Sequence, residues 1–190
     1  MNIFKLNLLV SLTAIITFIQ CQEEEEPAIN LLQNSNIEDG TNRPSDWLMP
    51  PSSDQQPFDL SWSDEEAFSP QKALKISNQT ENEPDDFSYW AQVVRQNIPH
   101  GRNITLRTMI KGNLTGQGLS LVIRTDGSDG QLQFVTTWGE TSITGDFDWT
   151  EYSVSLENVD DETNTIFIFL LSNSETTGEV YFNDVTLTVD

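Results

Sequence analysis

Residues that could act as nucleophiles or general bases are few in this chain. The sequence contains one histidine, His100, and one cysteine, Cys21. His100 lies in the segment Pro99-His100-Gly101, whose composition is typical of a turn, and Cys21 follows an apolar stretch near the N-terminus. A Ser-His-Asp or Cys-His catalytic site would depend on this turn histidine, and we do not expect one.

Acidic residues offer a second kind of catalytic chemistry. Hydrolysis of a glycosidic bond uses two carboxyl groups about 5 to 9 Å apart. The chain has 30 aspartates and glutamates, so many pairs are available, although the Glu-x-Asp-x-x-Glu strand motif of jelly-roll glycanases does not occur. A small glycanase or lyase is therefore an alternative, and a non-catalytic protein is the main expectation.

Aromatic and polar side chains could instead bind sugars. A sugar ring has flat apolar faces rimmed by hydroxyl groups, so its binding sites combine exposed aromatic rings with amides, carboxylates and arginine. Of the five tryptophans, Trp138 ends a predicted strand and Trp62 lies in a proline-rich connection, which favours exposure of both. The candidate sugar-binding residues are Trp62, Tyr89, Trp90, Gln92, Arg124, Gln133 and Trp138.

The elements that would position these residues are β-strands. A two-residue alternation of apolar and polar residues recurs from about residue 29 to the C-terminus, at 74–77, 90–95, 103–110, 119–123, 132–138, 152–156 and 181–189. Residues 165–171 are apolar at nearly every position, which predicts a central strand covered on both faces.

The connections between these strands also carry sequence signals. Asp126-Gly127 and Asp129-Gly130 predict a hairpin, and further turns are expected at Gly145-Asp146 and Thr177-Gly178. Residues 41–70 contain five prolines and predict a long surface connection with short strand pieces. Many short strands separated by turns predict an all-β sandwich or jelly roll.

The N-terminal residues predict export from the cell. Lys5 precedes an apolar stretch of roughly a dozen residues, which is the pattern of a secretory signal peptide. The stretch ends at Gln20-Cys21 and resembles the leader of bacterial lipoproteins, which is cut just before a cysteine that then carries lipid. We therefore expect a signal peptide over 1–20, and a lipidated Cys21 with an acidic tether over 21–28. Alternatively, cleavage falls nearby and Cys21 is incidental.

The residues after Cys21 and the overall charge bear on location and partners. The acidic run that follows Cys21 resembles the signal that sends Bacteroidetes-type lipoproteins to the cell surface, so the expected location is the outer membrane or cell surface. The formal net charge of −21 argues against nucleic acid as a partner, because phosphates would repel it.

Residues 29–190 resemble carbohydrate-binding modules of the CenC type, the family 4/9/22 group. The resemblance rests on an Asn-Leu opening at 30–34, the motif Ile37-Glu38-Asp39-Gly40 and the motif Pro44-Ser45-Asp46-Trp47, followed in order by segments 73–76, 89–94, 110–112, 148–152 and 178–187. It implies a galactose-binding-like jelly roll of two antiparallel sheets and non-catalytic binding of a polysaccharide or oligosaccharide. It also implies that Trp47 and Trp149 are core residues.

The same resemblance implies a structural calcium site. In that family the glutamate of the opening motif meets an aspartate near the C-terminus and both bind one ion. The matching residues here are Glu38 and Asn183, with Asp184 beside Asn183. Strand parity places Asn183 on one buried face with Tyr181, Val185 and Leu187, so its amide needs partners, which either an ion or a backbone network would supply.

These observations predict a membrane-anchored, extracytoplasmic module that binds glycans without cutting them. The alternative from another class is an adhesion or structural jelly roll that binds protein or matrix, because a fold does not fix a function. Two or more coplanar exposed aromatic rings in a groove would favour sugar, and a flat polar surface would favour the alternative. The sequence leaves the oligomeric state open.

Overall fold

The computed structural model describes residues 28–51, 57–80 and 86–190. Regular structure within these ranges consists of eight β-strands, and no helix there is long and apolar enough to cross a membrane. The predicted leader, Cys21 and nearly all of the acidic tether lie outside the described residues. The strands are β1 (Asp59–Ser63), β2 (Ala73–Asn78), β3 (Ser88–Val94), β4 (Ile104–Gly127), β5 (Gly130–Thr136), β6 (Ile143–Leu156), β7 (Thr165–Ser172) and β8 (Thr177–Val189).

One antiparallel hydrogen-bonded sheet folds into two layers along its longest strand, β4. The first half of β4 pairs with β6 on one side and β8 on the other, and β8 continues to β2 and β1. The second half of β4 pairs with β5 and β7, and β7 continues to β3. We call these layers the large sheet (β1, β2, β8, β4, β6) and the small sheet (β3, β7, β4, β5).

The bend that separates the two layers lies at 115–118 of β4, where the pairing with β6 skips from Leu114 to Leu119. Gly116 and Gly118 have φ angles of +84° and +74°, which side-chain-bearing residues rarely adopt. A Cβ atom at Gly116 would also collide with the carbonyl oxygen of Glu175. The two glycines therefore allow one strand to serve both sheets.

The core lies between the two layers and is built from alternate residues of the strands. Ile110 and Phe182 of the large sheet and Ile123 and Ile168 of the small sheet are fully buried in it. Burial follows the two-residue period, since a strand directs successive side chains to opposite faces. The all-β jelly-roll prediction is confirmed.

Several finer predictions have different outcomes. The hairpin predicted around 126–130 is confirmed, because β4 ends at Gly127 and β5 begins at Gly130. Gly145-Asp146 is not a turn: it lies inside β6, where Gly145 has a φ of +97°. Thr177-Gly178 likewise begins β8. In both places the chain stays hydrogen-bonded to β4, at Leu114 and Thr115, and this pairing outweighs the local turn signal.

The N-terminal segment is fastened to the sandwich by its asparagines. Asn30 Oδ1 accepts hydrogen bonds from the backbone N–H groups of Leu32 and Leu187, at 3.1 and 3.0 Å. Asn34 bonds through its amide group to both backbone polar atoms of Asp39, which closes the loop after it. These contacts give the Asn-rich opening of the domain a structural role.

Candidate functional site

The outer face of the small sheet is unusually apolar. In β7, Ile166, Ile168 and Leu170 point into the core, whereas Phe167 and Phe169 on the opposite face are partly exposed. The prediction that 165–171 forms a central strand is confirmed, since β7 lies between β3 and β4. The prediction that it is covered on both faces is wrong, because no other layer packs over its outer side chains in the described part of the chain.

Four aromatic side chains form a connected row across this surface, and Arg124 of β4 separates them from a fifth ring, Phe134. The ring of Phe87 lies 6.4 Å from that of Tyr89, and Tyr89 meets Phe169 edge-on at 5.2 Å. The rings of Phe169 and Phe167 are 6.2 Å apart with planes within 10° of parallel. Phe134 of β5 completes the set at the far edge of the sheet. We call Phe87, Tyr89, Phe134, Phe167 and Phe169 the aromatic face.

The aromatic face reaches from one edge of the small sheet to the other. It crosses β3, β7, β4 and β5, which at the usual strand spacing is about 14 Å. Phe87 and Phe134, at its two ends, are 53% and 51% exposed. Leu48, also exposed, pairs with Ala91 at the β3 edge and extends the apolar surface outward. Contiguous exposed apolar patches on a protein surface are typical of interaction sites and ligand-binding grooves.

A charged pair lies within this apolar surface. Arg124 lies in register with both Phe134 and Phe167, and its guanidinium carbon is 5.7 Å from the Phe167 ring. Arg124 donates two hydrogen bonds to the carboxylate of Asp126, at 2.7 and 2.8 Å. The hydrogen bonds to Asp126 raise the pKa of Arg124 above its ordinary value, so the guanidinium stays charged. The pair is neutral overall and offers polar atoms beside the rings.

Three of the seven predicted sugar-binding residues lie on or beside this surface. Tyr89 is part of the aromatic face, and Arg124 lies between two of its rings. Trp138 follows β5 by two residues and is 49% exposed. Their contact with a sugar stays a prediction, but the structure brings them to one side of the molecule.

Trp90 and Gln92 point the other way, and their prediction as ligand-contacting residues is wrong in this structure. Trp90 is fully buried, and its indole N–H donates to the carbonyl oxygen of Lys75 at 3.1 Å. Gln92 is buried and its amide bonds to both backbone polar atoms of Gln33, at 2.7 and 3.2 Å. Both side chains lie on the face of β3 that packs toward the core, so their contacts stabilise the fold.

Trp62 and Gln133 are also engaged in structural contacts. The indole N–H of Trp62 donates to the carbonyl oxygen of Ile37 at 2.8 Å, and its ring packs partly buried against the core. Gln133 accepts a hydrogen bond from the backbone N–H of Asp160 and donates to the carbonyl oxygen of Asn158. Trp62 belongs to the large sheet and Gln133 ties β5 to a loop, so neither joins the aromatic face.

The remaining tryptophans and the histidine also have defined places. Trp47 is buried in the core, as the family resemblance implied. Trp149 is instead partly exposed and packs against Phe68, with ring centroids 5.8 Å apart. The Nε2 atom of His100 lies 2.8 Å from the carbonyl oxygen of Thr163, so the ring is held against a loop.

A bulge in β8 changes the predicted environment of Asn183. Asp184 has a φ of +46°, and the pairing of β8 with β4 shifts register beside it. Val185 and Leu187 therefore join the core, whereas Asn183 lies on the opposite face with Tyr181. The predicted sharing of one face with Val185 and Leu187 is wrong, but the predicted burial is confirmed, because Asn183 is 0% exposed.

Glu38, Asn183 and Asp184 converge on one backbone segment, residues 69–72. Glu38 Oε1 accepts hydrogen bonds from the backbone N–H groups of Gln71 and Lys72 at 3.0 and 2.9 Å. The Asn183 amide donates to the carbonyl oxygen of Lys72 at 2.7 Å, and Asp184 accepts from the hydroxyl of Ser69 at 2.6 Å. We call this set of contacts the 69–72 clamp.

The polar atoms of the 69–72 clamp are already paired with one another by hydrogen bonds, which favours a metal-free junction over a calcium site. Calcium takes oxygen ligands only, but here an amide N–H faces the Lys72 carbonyl oxygen, and two backbone N–H groups face the Glu38 carboxylate. Across residues 28–51, 57–80 and 86–190 there is also no group of three or more acidic, histidine or cysteine residues arranged to hold a metal. Calcium binding stays a prediction, and the contacts favour a junction closed by hydrogen bonds.

The sequence reasoning missed the phenylalanines of the aromatic face. Phe87, Phe134, Phe167 and Phe169 are absent from the residues predicted from sequence, which are tryptophans, one tyrosine and polar side chains. The sequence signal for them is the apolar character of both faces of 165–171, which by itself predicts burial on both faces. An apolar outer face can equally be an uncovered binding surface, and only the sheet order separates the two.

Comparisons with known proteins support the fold. No protein-family model matches the sequence, and no curated protein matches it. The chain is similar in structure to the enzymatically active domain of tailspike protein 4 from bacteriophage CBA120, with 13% sequence identity and a TM-score of 0.64. The match covers 85% of this chain but only 22% of the tailspike chain.

Two carbohydrate-binding modules match over nearly their whole length. The CBM22-1 xylan-binding domain of Paenibacillus barcinonensis Xyn10C is 11% identical, with a TM-score of 0.58 over 85% of this chain and 95% of that one. TmCBM61, solved in complex with β-1,4-galactotriose, is 17% identical, with a TM-score of 0.56 over 86% of this chain and 100% of that one. At these identities the similarity establishes a shared jelly-roll fold.

Proposed function

We propose that this protein is a non-catalytic carbohydrate-binding module whose ligand lies on the aromatic face. The observation that carries this proposal is the set of exposed and partly exposed rings on the outer face of the small sheet, two of which have planes within 10° of parallel. Aromatic rings stack on the apolar faces of pyranose sugars, and the Arg124–Asp126 pair supplies polar atoms for the hydroxyl groups around them.

The charge of the protein favours a neutral glycan. The net charge is −21, and the positive charge of Arg124 is balanced by the negative charge of the Asp126 carboxylate at hydrogen-bonding distance. A polymer of uronic acids or sulfated sugars would be repelled and would find no unpaired cation at Arg124. Two structurally similar modules bind xylan and β-1,4-galactotriose, which are neutral or weakly charged sugars, and this supports the same class of ligand here.

The alternative function is adhesion to a protein or matrix. The aromatic face argues for sugar because its surface is a row of rings rather than a flat polar plane. A protein partner would also use exposed aromatic residues, so the two functions are separated by experiment.

Binding can be tested by affinity electrophoresis and isothermal titration with the purified protein. Neutral ligands are arabinoxylan, β-1,4-galactan, mixed-linkage β-glucan and galactomannan, and acidic ones are polygalacturonate and alginate. We expect binding to at least one neutral glycan, no binding to the acidic ones, and no release of reducing ends. Absence of binding to all neutral glycans would contradict the proposal, and release of reducing ends would favour a glycanase or lyase.

Three phenylalanines with nearly equal exposure provide a matched set of variants. Phe87→Ala and Phe134→Ala remove rings at the two ends of the aromatic face, whereas Phe68→Ala removes a 49% exposed ring that packs on Trp149 of the large sheet. We expect the first two to weaken glycan binding by about tenfold each, and the third to leave it unchanged. Equal effects of all three variants would show that the aromatic face is not the site.

We also propose that the module is exported and anchored through lipid on Cys21. The support is the basic start, the apolar stretch and the single cysteine at its end, followed by an acidic run. In a bacterial host, the full chain should partition into detergent and incorporate a labelled fatty acid, and Cys21→Ala should do neither. Labelling that persists in Cys21→Ala would refute the anchor without affecting the glycan-binding proposal.

A further inference from the structure

Trp138 is held at the edge of the small sheet by a tightly bonded loop. The backbone N–H of Trp138 donates to the hydroxyl of Thr136 at 3.1 Å. The carbonyl oxygen of Thr137 accepts from the N–H groups of Glu140 and Thr141, and the buried Thr137 hydroxyl accepts from the N–H of Leu121 at 3.0 Å. The indole is therefore exposed on a backbone that is already fixed, which reduces the entropy lost on binding.

Two open clefts meet at this indole. One, of about 450 Å³, runs between the edges of β5 and β6, and the other, of about 420 Å³, lies on the far side of the 137–142 loop. Trp138, Glu140 and Thr141 line both clefts. The first cleft is also lined by Phe134, Thr136, Ser153 and Ser155, and the second by Gln117, Leu119 and Ser142.

The lining of these clefts has the chemistry of a sugar site. An exposed indole supplies a flat apolar surface, and the hydroxyl groups of Thr136, Thr141 and Ser153 with the Glu140 carboxylate supply donors and acceptors around it. The clefts are open at the surface, so a chain could pass through them rather than end in them. Phe134 belongs both to the aromatic face and to the β5–β6 cleft, which makes the two surfaces continuous.

We propose that Trp138 forms a second sugar-binding position, and that the ligand is a glycan chain running from the aromatic face around the β5 edge into the β5–β6 cleft. This inference rests on the proposed function and adds that the protein binds the interior of a chain. A short oligosaccharide then occupies the aromatic face alone, and only a longer one also reaches Trp138.

The test compares oligosaccharides of increasing length by isothermal titration. The probes are the xylose series from xylobiose to xylohexaose and the matching β-1,4-galactose series, each measured with the wild-type protein, Trp138→Ala and Phe87→Ala. We expect wild-type affinity to rise with length. Trp138→Ala should lower the affinity for the longest oligosaccharides by about tenfold. Its affinity for the shortest oligosaccharide that binds should equal that of the wild-type protein. Phe87→Ala should weaken all lengths.

Two further variants and one spectroscopic measurement guard against a folding artefact. Trp138→Phe keeps an aromatic ring and should retain most of the affinity for long chains, and Trp149→Ala, on the other sheet, should behave as wild type. In the wild-type protein, long but not short oligosaccharides should protect tryptophan fluorescence from acrylamide quenching, because Trp138 is exposed whereas Trp90 and Trp47 are buried.

The outcomes separate this inference from the function it rests on. If Trp138→Ala binds every length as wild type does while Phe87→Ala is weakened, the second position is refuted and the glycan-binding proposal stands. If Trp138→Ala weakens short and long oligosaccharides equally, Trp138 belongs to one compact site and the extended path is refuted. If the wild-type protein binds neither series nor any neutral polysaccharide, the proposed function fails and the inference fails with it.

Discussion

Replacing Asn183 by aspartate tests whether the 69–72 clamp works without a metal. Asn183 is fully buried, and its amide group donates to the Lys72 carbonyl oxygen at 2.7 Å. In Asn183→Asp this donor becomes a carboxylate oxygen that faces another oxygen, close to Glu38 and Asp184. The variant therefore loses one hydrogen bond and gains an unpaired buried charge, and it also gains the oxygen ligands that calcium prefers.

The size of the effect follows from the burial of the site. An uncompensated buried charge costs about 3–5 kcal/mol, so the free energy of unfolding of Asn183→Asp should fall by about that amount in the absence of metal. For a domain of this length each kcal/mol shifts the melting temperature by about 2–4 °C, which predicts a decrease of about 6–20 °C. Calcium at about a hundred times its dissociation constant would restore about 2.7 kcal/mol of this loss.

The assay is thermal and urea unfolding with excess EDTA or with calcium. We expect the wild-type protein to unfold identically in both and Asn183→Asp to be destabilised in EDTA and partly restored by calcium. Asn173→Asp is the matched control, because Asn173 is also buried but bonds to Ser120 far from Glu38, so calcium should not restore it. Loss of wild-type stability in EDTA would refute the reasoning and support the calcium ion that the family resemblance implies.

Two further predictions concern residues outside the proposed binding surface. Trp90→Ala should lower the free energy of unfolding by about 3–5 kcal/mol in urea, because the ring is fully buried, and retention of wild-type stability would contradict its core role. The hydrogen bond from Lys75 holds the pKa of Glu65 below its usual value of 4.5. A lowered carboxyl pKa stabilises the fold above the unfolded pKa and ceases to do so as pH falls through the folded value. The stability difference between wild type and Glu65→Gln should therefore shrink on acidification below 4.5, and a pH-independent difference would rule out this ion pair as its source.

The strand pattern could be predicted because its cause is local. Each strand alternates its side chains between two faces, so apolar residues that pack in the core recur at every second position. Leu106, Leu121 and Leu187 belong to this pattern, which predicts the strands. The hairpin at 126–130 was predictable for the same reason, since two Asp-Gly pairs specify a tight turn without reference to the rest of the fold. Gly145 shows the limit, because its turn signal was outweighed by pairing with a distant strand.

The binding surface could be predicted only in part. Tyr89 and Arg124 lie on the outer face of the small sheet, and their contact with sugar stays a prediction. Trp90 and Gln92, predicted alongside them, point inward. The alternation of side chains along a strand shows which residues share a face. When both faces carry large side chains, as in β3, it does not show which face packs against the core. The choice depends on which sheet packs behind the strand, and that is decided by residues far away in sequence.

The sequence by itself determined the fold class and most of the strands and core residues that make the jelly roll. These features follow from composition and from periodicities of a few residues. Only the tertiary structure decided that Phe87, Tyr89, Phe134, Phe167 and Phe169 share the outer face of the small sheet, and that Asn183 donates to the backbone of Lys72. The reason is physical: both arrangements are made by strands distant along the chain, whose order in the sheets is set by the packing of the whole domain.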